Sequence, residues 1–394
     1  MQQVVKIAWV IIRVMIGYQL AMPFLLYLLY RVKKKPPVIA EKRATEADYA
    51  IIVTAYEQTH SLSAAVNSLL QMNYSNYIIY IVADKCDISQ LYFTDARVKI
   101  LRPENILGSN TRSHFYAIER FVREHERLTI IDSDNIADAG YLTALNRYFD
   151  IGYEAVQGLR KSKNTNTLYA RLDAARDHYY HFYDGEVLFQ IGSSATLAGS
   201  GMAFTVDLYK SSLAHFDVEG AGFDKVLQYR ILLQKERIAF AQEAIVYDEK
   251  TAKTDQLVNQ RARWINSWFR YFSKGFLLVK EGIANKNWNQ FLFGIVLLRP
   301  PLFMFILFSA CCMIIDIWQQ PVAAALWAFG FVLFIVSFII SLVHAKAARI
   351  IYLSLLKAPL FIFYQLQALG KVKNASKHSV ATKHADYIDE VQKK

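Results

Sequence analysis

Residues 49–84 read YAIIVTAYEQTHSLSAAVNSLLQMNYSNYIIYIVAD, and this stretch decides the fold of the chain. Its two ends, YAIIVTAY and YIIYIVAD, are short runs rich in β-branched and aromatic residues, which is typical of buried parallel strands. The segment between them, SLSAAVNSLLQM, has the apolar spacing of a helix. The order of strand, helix and strand therefore predicts an α/β fold.

The same alternation of strand and helix signals continues to about residue 284. Two further strands are predicted at 98–101 and 128–131, with a helix over 111–125 between them. Ligands of such sheets bind beyond the carboxyl ends of the strands. We therefore expect a binding site at the strand ends that carry Glu57, Asp84 and Asp132.

Two polar signatures indicate the chemistry. RLTIIDSDN places Asp132 and Asp134 at the end of an apolar strand, where two carboxylates suit a divalent cation that bridges phosphates. NQRARW, much later in the chain, supplies Gln260, Arg263 and Trp264, which together can hold a diphosphate and a sugar ring. The combination predicts chemistry on a nucleotide-activated sugar.

Apolar segments lie at both ends of the chain and are long enough to cross a bilayer of ~30 Å. The clear ones are residues 7–30, 291–318 and 322–344. The first lacks a small-residue cleavage site after it, which is typical of a retained anchor. A fourth segment, 350–369, is interrupted by Lys357 and Pro359, so we predict an interfacial helix there rather than a span.

Basic clusters beside these segments predict the topology. RVKKK follows the first segment and HAKAAR follows the third, and the positive-inside rule then places the residues after 31 in the cytoplasm. The predicted organisation is a transmembrane anchor over 1–35 and a cytoplasmic catalytic domain over 36–284. Transmembrane and interfacial helices over 285–370 and a cytoplasmic tail over 371–394 complete it.

Composition narrows the class of protein. The net charge of +11 comes with 54% hydrophobic residues, so the basic clusters fit membrane topology and anionic lipid, and no nucleic acid partner is expected. Three cysteines without metal spacing exclude a disulfide framework. The aromatic run HYYHFY, residues 178–183, has no partner at ligand spacing and predicts helix packing rather than a metal site.

The order of AYEQ, VADKCD, DSD, GSGMA, GFD and QRARW resembles the membrane-bound family 2 glycosyltransferases. That family includes cellulose, hyaluronan, chitin-oligosaccharide and poly-N-acetylglucosamine synthases. The resemblance covers roughly residues 48–270 and the layout of the flanking helices. It implies a Rossmann-like GT-A fold, a nucleotide sugar donor, a divalent metal (Mg²⁺ or Mn²⁺) and inversion at the anomeric carbon.

The resemblance also implies roles on the donor side. Tyr56 and Glu57 match the loop that wraps the nucleotide, and Asp84 matches the aspartate that contacts uracil. In the DSD motif, Asp132 would approach the nucleotide and Asp134 would ligate the metal.

On the acceptor side, Gly201 in GSGMA matches a loop that approaches the acceptor. Asp224 matches the general base, although Phe223 stands where the family usually has Glu. Arg263 would bind the diphosphate, and Trp264 would form a wall for the acceptor ring. Gln260 completes the QxxRW match, in which Arg261 has no part.

These expectations predict an integral enzyme of the cell inner (cytoplasmic) membrane. It would transfer a hexosyl or N-acetylhexosaminyl group from a UDP-sugar to a growing polysaccharide, with a possible export partner subunit. The few membrane segments leave open the transfer of one sugar to a lipid-linked acceptor in contact with membrane lipid. Two further alternatives are an inactive scaffold for glycan export and a membrane-bound nucleotidyltransferase, which would leave QRARW unexplained.

Overall fold

The computed structural model describes residues 2–33, 46–214, 216, 218, 221–251 and 254–372. Lys34 and Lys35 of the basic cluster, the predicted boundary at 35/36 and the tail from 373 lie outside these residues. An eight-stranded sheet forms the centre of the described part. Its strands are β1 Tyr49–Tyr56, β2 Tyr77–Asp84, β3 Val98–Leu101, β4 Arg127–Asp132, β5 Ile136–Ala137, β6 Ala155–Ser162, β7 Met202–Thr205 and β8 Ile238–Asp248.

Helices connect the strands and extend from both ends of the sheet domain. They are α1 Gln2–Val32, α2 Leu62–Leu70, α3 Asn110–Ile118, α4 Tyr141–Phe149, α5 Leu168–Tyr180, α6 Leu188–Gln190, α7 Val206–Leu213, α8 Phe223–Leu233, α9 Thr254–Tyr271, α10 Lys274–Ala284, α11 Trp288–Leu298, α12 Leu302–Gln319, α13 Pro321–His344, α14 Arg349–Ser354 and α15 Ala358–Lys371. A π-helical segment, His181–Val187, joins α5 to α6, and a 3₁₀ turn, Leu355–Lys357, joins α14 to α15.

The sheet is parallel on one side and mixed on the other. Its order is β3-β2-β1-β4-β7-β6-β8-β5, and the first four strands pair in parallel, as the sequence predicts. β7 is antiparallel to both of its neighbours. The α/β prediction is confirmed, and the carboxyl ends of β1 and β4 lie side by side because Thr54 pairs with Asp132.

Buried apolar side chains hold the sheet between its helices. β2 is buried along its whole length, and the rings of Tyr49, Tyr77 and Tyr80 are fully enclosed. Each fully buried apolar side chain contributes roughly 1.5–3 kcal/mol to folding. The strand ends beside this core are therefore a firm base for a site.

Four helices are long and apolar enough to cross a membrane, judged by length and composition. They are Gln3–Val32, Leu302–Gln319, Pro321–His344 and Arg349–Lys371. The apolar segment predicted over 291–318 is divided in the structure, because α11 ends at Leu298 and α12 begins at Leu302, and the candidate span within it is Leu302–Gln319. Pro300 and Pro301 cause the break, since proline cannot donate a backbone hydrogen bond and forces the preceding residue out of helical geometry. Whether 350–369 spans or lies on the membrane stays a prediction.

A buried ion pair joins two of these apolar helices. Asp316 on α12 is fully buried and accepts hydrogen bonds from the guanidinium of Arg13 on α1. The indole N–H groups of Trp9 and Trp327 donate to the same carboxylate, each over 2.9 Å. Charges inside apolar segments need such partners, so this cluster orients α1 against α12 and α13.

Candidate active site

A cavity of about 1000 Å³ begins at the carboxyl ends of β1 and β4. Tyr56, Asp132 and Asp134 line this polar end. The cavity continues past α5 and α9 to the membrane helices. There it is lined by apolar side chains of α12 and α13, namely Ile306, Phe334, Ile335, Phe338 and Ile339. One space therefore joins the sheet edge to the membrane segments.

Most of the predicted site residues meet in this cavity, although they come from distant parts of the chain. Those that line it are Tyr56, Asp132, Asp134, Asp224, Gln260, Arg263 and Trp264. Glu57, Asp84 and Gly201 are not among the lining residues. The roles predicted for all ten residues stay predictions.

The turn that carries the two carboxylates is held by a neighbouring loop. The backbone N–H of Asp132 donates to Ser200 Oγ over 3.0 Å, and Ser200 donates to Asn135 Oδ1 over 2.6 Å. Asn135 Nδ2 then donates to Asp134 Oδ1 over 2.9 Å. The loop GSGMA therefore positions the carboxylates from behind. No group of three or more potential metal-ligating side chains occurs among the described residues.

Asp84 lies behind the cavity wall. It is 2% exposed, and its two carboxylate oxygens accept the backbone N–H groups of Leu107 (3.0 Å) and Gly108 (2.8 Å). These bonds fix the loop before α3, whose first residue, Asn110, lines the cavity. In this geometry Asp84 shapes the site through that loop.

Glu57 and Gly201 have structural surroundings of their own. Glu57 adopts a left-handed backbone conformation and pairs with Lys85 at 2.7 Å, on the exposed side of the loop. Gly201 has φ +65°, and a Cβ there would lie 2.7 Å from Val246 Cγ2, so no other residue fits without strain. The glycine of this loop that lines the cavity is Gly199.

Asp224 lies in the first turn of α8 and faces the cavity. Gly222 occupies the N-cap position with φ +104°, so Asp224 is not the N-cap of this helix. Its Oδ2 lies 3.3 Å from Lys225 Nζ. Phe223, which replaces the usual Glu, is buried against the ring of His114 at 5.0 Å between centroids. The residue before Asp224 thus contributes to the core.

The QRARW motif lies on α9, where positions i, i+3 and i+4 share one face. Gln260, Arg263 and Trp264 are therefore adjacent, and all three line the cavity. Burial lowers the pKa of Arg263 from its ordinary value. The guanidinium carbons of Arg176 and Arg261 lie 4.4 and 4.2 Å from the centre of the Trp264 ring. Trp264 thus packs against two cations.

A buried network of ion pairs lines the cavity. The sequence patterns did not predict it. Its ion pairs are Arg160–Asp248, Lys250–Asp248, Lys250–Asp177, Arg176–Asp177, Arg176–Asp173 and Arg261–Asp173. Most members are far apart in sequence. The one local signal was the spacing of Asp173, Arg176 and Asp177, which places a base and its partners on one helix face.

Burial and neighbouring charge have opposite effects on the carboxylates of this network. Burial raises the pKa of Asp173 to about 6, against the effect of Arg176 beside it. Burial acts in the same direction on Asp177, but Lys250 and Arg176 outweigh it and hold the pKa of Asp177 well below its usual range. Burial is therefore the dominant influence on the pKa of Asp173, whereas the neighbouring bases dominate the pKa of Asp177.

The π-helical segment after α5 brings further polar groups to the cavity. His181 and Asp184 both line it, and Asp184 pairs with Arg299 at the break between α11 and α12. Burial lowers the pKa of His181 to about 4, so its imidazole is neutral at neutral pH. The predicted helix packing of HYYHFY holds for the buried Phe182 and Tyr183, whereas His181 faces the cavity. Such π-helical turns are frequent at functional sites.

Comparison with protein families identifies a matching family. The sequence model described as "Glycosyltransferase like family 2" matches residues 47–267, which is more than half of the chain. No curated protein sequence matches the chain significantly.

Comparison with solved structures identifies similar folds. The mannosyltransferase PcManGT from Pyrobaculum calidifontis, solved with GDP-Man and Mn²⁺, is 13% identical, with a TM-score of 0.58. The match covers 92% of this chain and 99% of that one. Residues 1–349 of S. aureus TarS match at 15% identity and a TM-score of 0.40, over 58% of this chain and 65% of that one. The first match extends over most of this chain and shows that the two chains share a fold.

Proposed function

Because this chain belongs to glycosyltransferase-like family 2, we propose that it transfers a sugar from a nucleotide sugar to an acceptor carried by a membrane lipid. One observation supports the lipid-borne acceptor. The cavity that contains Asp132 and Asp224 continues to Ile335 and Ile339, whose side chains are also exposed on the surface of α13. The reacting end of a lipid-anchored acceptor can therefore reach the strand ends while its lipid chain stays in the membrane.

The predicted polysaccharide product is the alternative. A growing polysaccharide needs a hydrated path across the bilayer, with polar groups along it. The membrane end of this cavity has apolar walls, formed by Ile306, Phe334, Ile335, Phe338 and Ile339. Apolar walls suit a lipid chain better than a sugar chain, since buried hydroxyl groups without partners are costly. This contrast favours the lipid acceptor.

The polar end of the cavity is proposed to bind the donor. Tyr56, Asp132 and Asn110 line it beside the end of β1. UDP is the nucleotide expected from the sequence, whereas the similar mannosyltransferase was solved with GDP-Man. Both nucleotides therefore belong in the first screen of donors.

A divalent cation is proposed to bind at Asp134, with Asp132 beside it. Both side chains are half-buried and face the cavity. One or two carboxylates completed by substrate phosphates are a common arrangement for Mg²⁺, so this donor set fits. When bound, the cation would neutralise charge on the leaving diphosphate. The similar mannosyltransferase contains Mn²⁺.

Asp224 is proposed to act as the general base. An acceptor hydroxyl would attack the anomeric carbon while the bond from that carbon to the diphosphate oxygen breaks. The hydroxyl proton would pass to the Asp224 carboxylate, which faces the cavity from the first turn of α8. Arg263 would bind the diphosphate that leaves. Attack from the side opposite the leaving group inverts the anomeric centre.

Product analysis tests the proposal. Purified protein in detergent with membrane lipid extract and radiolabelled UDP-sugars or GDP-sugars, each with Mn²⁺, should yield a single labelled product that partitions into organic solvent. Release of the matching nucleotide should accompany it, and heat-treated protein is the control. A ladder of water-soluble oligomers would contradict the lipid acceptor and support the polysaccharide.

The cytoplasmic location of the sheet domain is a separate proposal, motivated by the basic residues after α1 and after α13. In a Cys311→Ser background, a Ser89→Cys variant should resist a membrane-impermeant maleimide added to intact cells, because a cytoplasmic sheet domain is shielded by the membrane. After lysis it should react, since Ser89 is exposed on that domain. Trp318→Cys at the α12–α13 hairpin, where the side chain is 86% exposed, should react. Labelling of position 89 without lysis would reverse the topology.

A further inference from the structure

Three arginines and two aromatic rings alternate along the middle of the cavity. From α9, the row begins with Arg261 and Trp264, separated by 4.2 Å. The guanidinium carbon of Arg176 lies 4.4 Å from the centre of the Trp264 ring and 5.8 Å from the centre of the Tyr180 ring. The guanidinium carbon of Arg299 lies 5.7 Å from the centre of the same Tyr180 ring and ends the row. All five side chains line the cavity. This arginine–aromatic row leads from the QRARW motif to the break before α12.

Arg261 has unused hydrogen-bonding capacity. It is 2% exposed and pairs with Asp173 through Nη2, while its Nε and Nη1 groups have no hydrogen-bond partner among the described residues. Two N–H donors of this buried arginine have lost their hydrogen bonds to water and have gained no partner in the part of the chain that the structure describes. This loss is costly unless a ligand accepts hydrogen bonds from them. Arg261 lines the cavity, so a molecule bound there can supply an acceptor for these groups.

Guanidinium groups are concentrated along the row, within a larger set of ion pairs. The ion pairs along the middle of the cavity contain five bases and four carboxylates. The bases are Arg160, Arg176, Lys250, Arg261 and Arg299, and the carboxylates are Asp173, Asp177, Asp184 and Asp248. The three guanidinium groups of the row lie together in a low-dielectric region, where they can bind an anion with several acceptor oxygens. Phosphate meets this requirement, and guanidinium groups are suited to it.

We propose that the arginine–aromatic row binds the phosphate that links the lipid of the acceptor to its sugar. The row shares one cavity with Asp224, where the sugar hydroxyl is proposed to react, and with the apolar walls of α12 and α13, where the lipid chain would lie. The acceptor class is therefore a lipid phosphate or diphosphate carrying a saccharide. This inference rests on the proposed lipid acceptor, and it adds the anionic linker and the residues that recognise it.

The test measures binding without any transfer reaction. Purified full-length protein in a neutral detergent is titrated with farnesyl phosphate, farnesol and inorganic phosphate, and tryptophan fluorescence reports binding because Trp264 lies in the row. Farnesyl phosphate should bind at least about tenfold more tightly than farnesol, since charge-assisted hydrogen bonds distinguish the two. Inorganic phosphate at millimolar concentration should compete weakly, because it lacks the apolar chain.

Variants assign the binding to the row. Arg261→Gln should weaken farnesyl phosphate binding by roughly ten- to a hundredfold and leave farnesol binding unchanged. That change removes one of the bases that pair with Asp173. The double variant Arg261→Gln/Asp173→Asn is therefore made as well, because it removes both charges of the Arg261–Asp173 pair. It should show the same loss and retain the wild-type melting temperature. Arg349→Gln, an exposed base outside the cavity, is the matched control and should bind as wild type.

Each outcome decides the inference. Equal affinity for farnesyl phosphate and farnesol, or undiminished farnesyl phosphate binding by the folded double variant, overturns it. Inorganic phosphate that binds as tightly as farnesyl phosphate also overturns it, because the site would then be a phosphate site without a lipid. These results are independent of transfer. A protein that makes a glycolipid but shows no preference for farnesyl phosphate keeps the proposed function and loses this inference.

Discussion

Asp224→Asn is expected to lower turnover by roughly 10²–10⁴-fold while donor binding stays close to wild type. Asparagine keeps the size and hydrogen-bonding shape of the side chain but takes up no proton at neutral pH. The fold should survive, because the N-cap position of α8 belongs to Gly222 and the Lys225 partner of Asp224 is partly exposed. The loss of turnover would then report the missing proton acceptor.

Paired measurements on one preparation separate chemistry from binding in this variant. Calorimetry gives the affinity for the nucleotide sugar, and organic extraction gives the labelled product. Asp207→Asn is the matched control, since Asp207 also lies in the first turn of a helix, α7, and is exposed away from the cavity. Near wild-type turnover of Asp224→Asn would move the role of base to another carboxylate.

Asp134→Asn is expected to abolish detectable transfer, and excess EDTA should silence the wild-type protein. Neutralising the carboxylate proposed to hold the cation should remove several kcal/mol of leaving-group stabilisation, which corresponds to a loss of more than about a hundredfold. The turn itself should persist, because asparagine can still accept the hydrogen bond from Asn135 Nδ2. The measurement is nucleotide release with and without Mn²⁺ or Mg²⁺.

Asp138→Asn provides the comparison for this loss. Asp138 lies four residues further on and does not line the cavity, and its Oδ1 accepts the N–H of Gly140, which asparagine can also satisfy. That variant should keep wild-type activity and metal dependence. Full activity of the wild-type protein in excess EDTA would exclude the proposed role of the cation.

Local sequence was sufficient for much of the sheet. The bounds of β1 and β2 agree with the runs YAIIVTAY and YIIYIVAD, because a buried parallel strand is apolar along its length and ends at polar residues. The half-buried β3 also has the predicted bounds. For the same reason Asp132 and Asp134 could be placed at a strand end. The antiparallel position of β7 between β4 and β6 could not be predicted, since pairing across the sheet depends on strand order.

The middle of the cavity could not be predicted from local patterns. Arg261 resembles a surface base within QRARW, yet it is buried because Asp173, 88 residues earlier, neutralises it. Asp84 matches a motif for base contact, yet two backbone amides occupy its carboxylate oxygens. For both residues, the groups that determine the surroundings of the side chain are distant in sequence.

The sequence by itself determined the α/β fold, the apolar helices and the strand-end carboxylates, because burial and periodicity act over a few neighbouring residues. Only the tertiary structure decided that these parts enclose one cavity, polar at Asp132 and apolar at Phe338. It also decided that Arg176, Arg261 and Arg299 form a row between the two ends. Such a row exists only when α5, α9 and the break before α12 are packed together, since long-range charge pairing offsets the cost of burying each base.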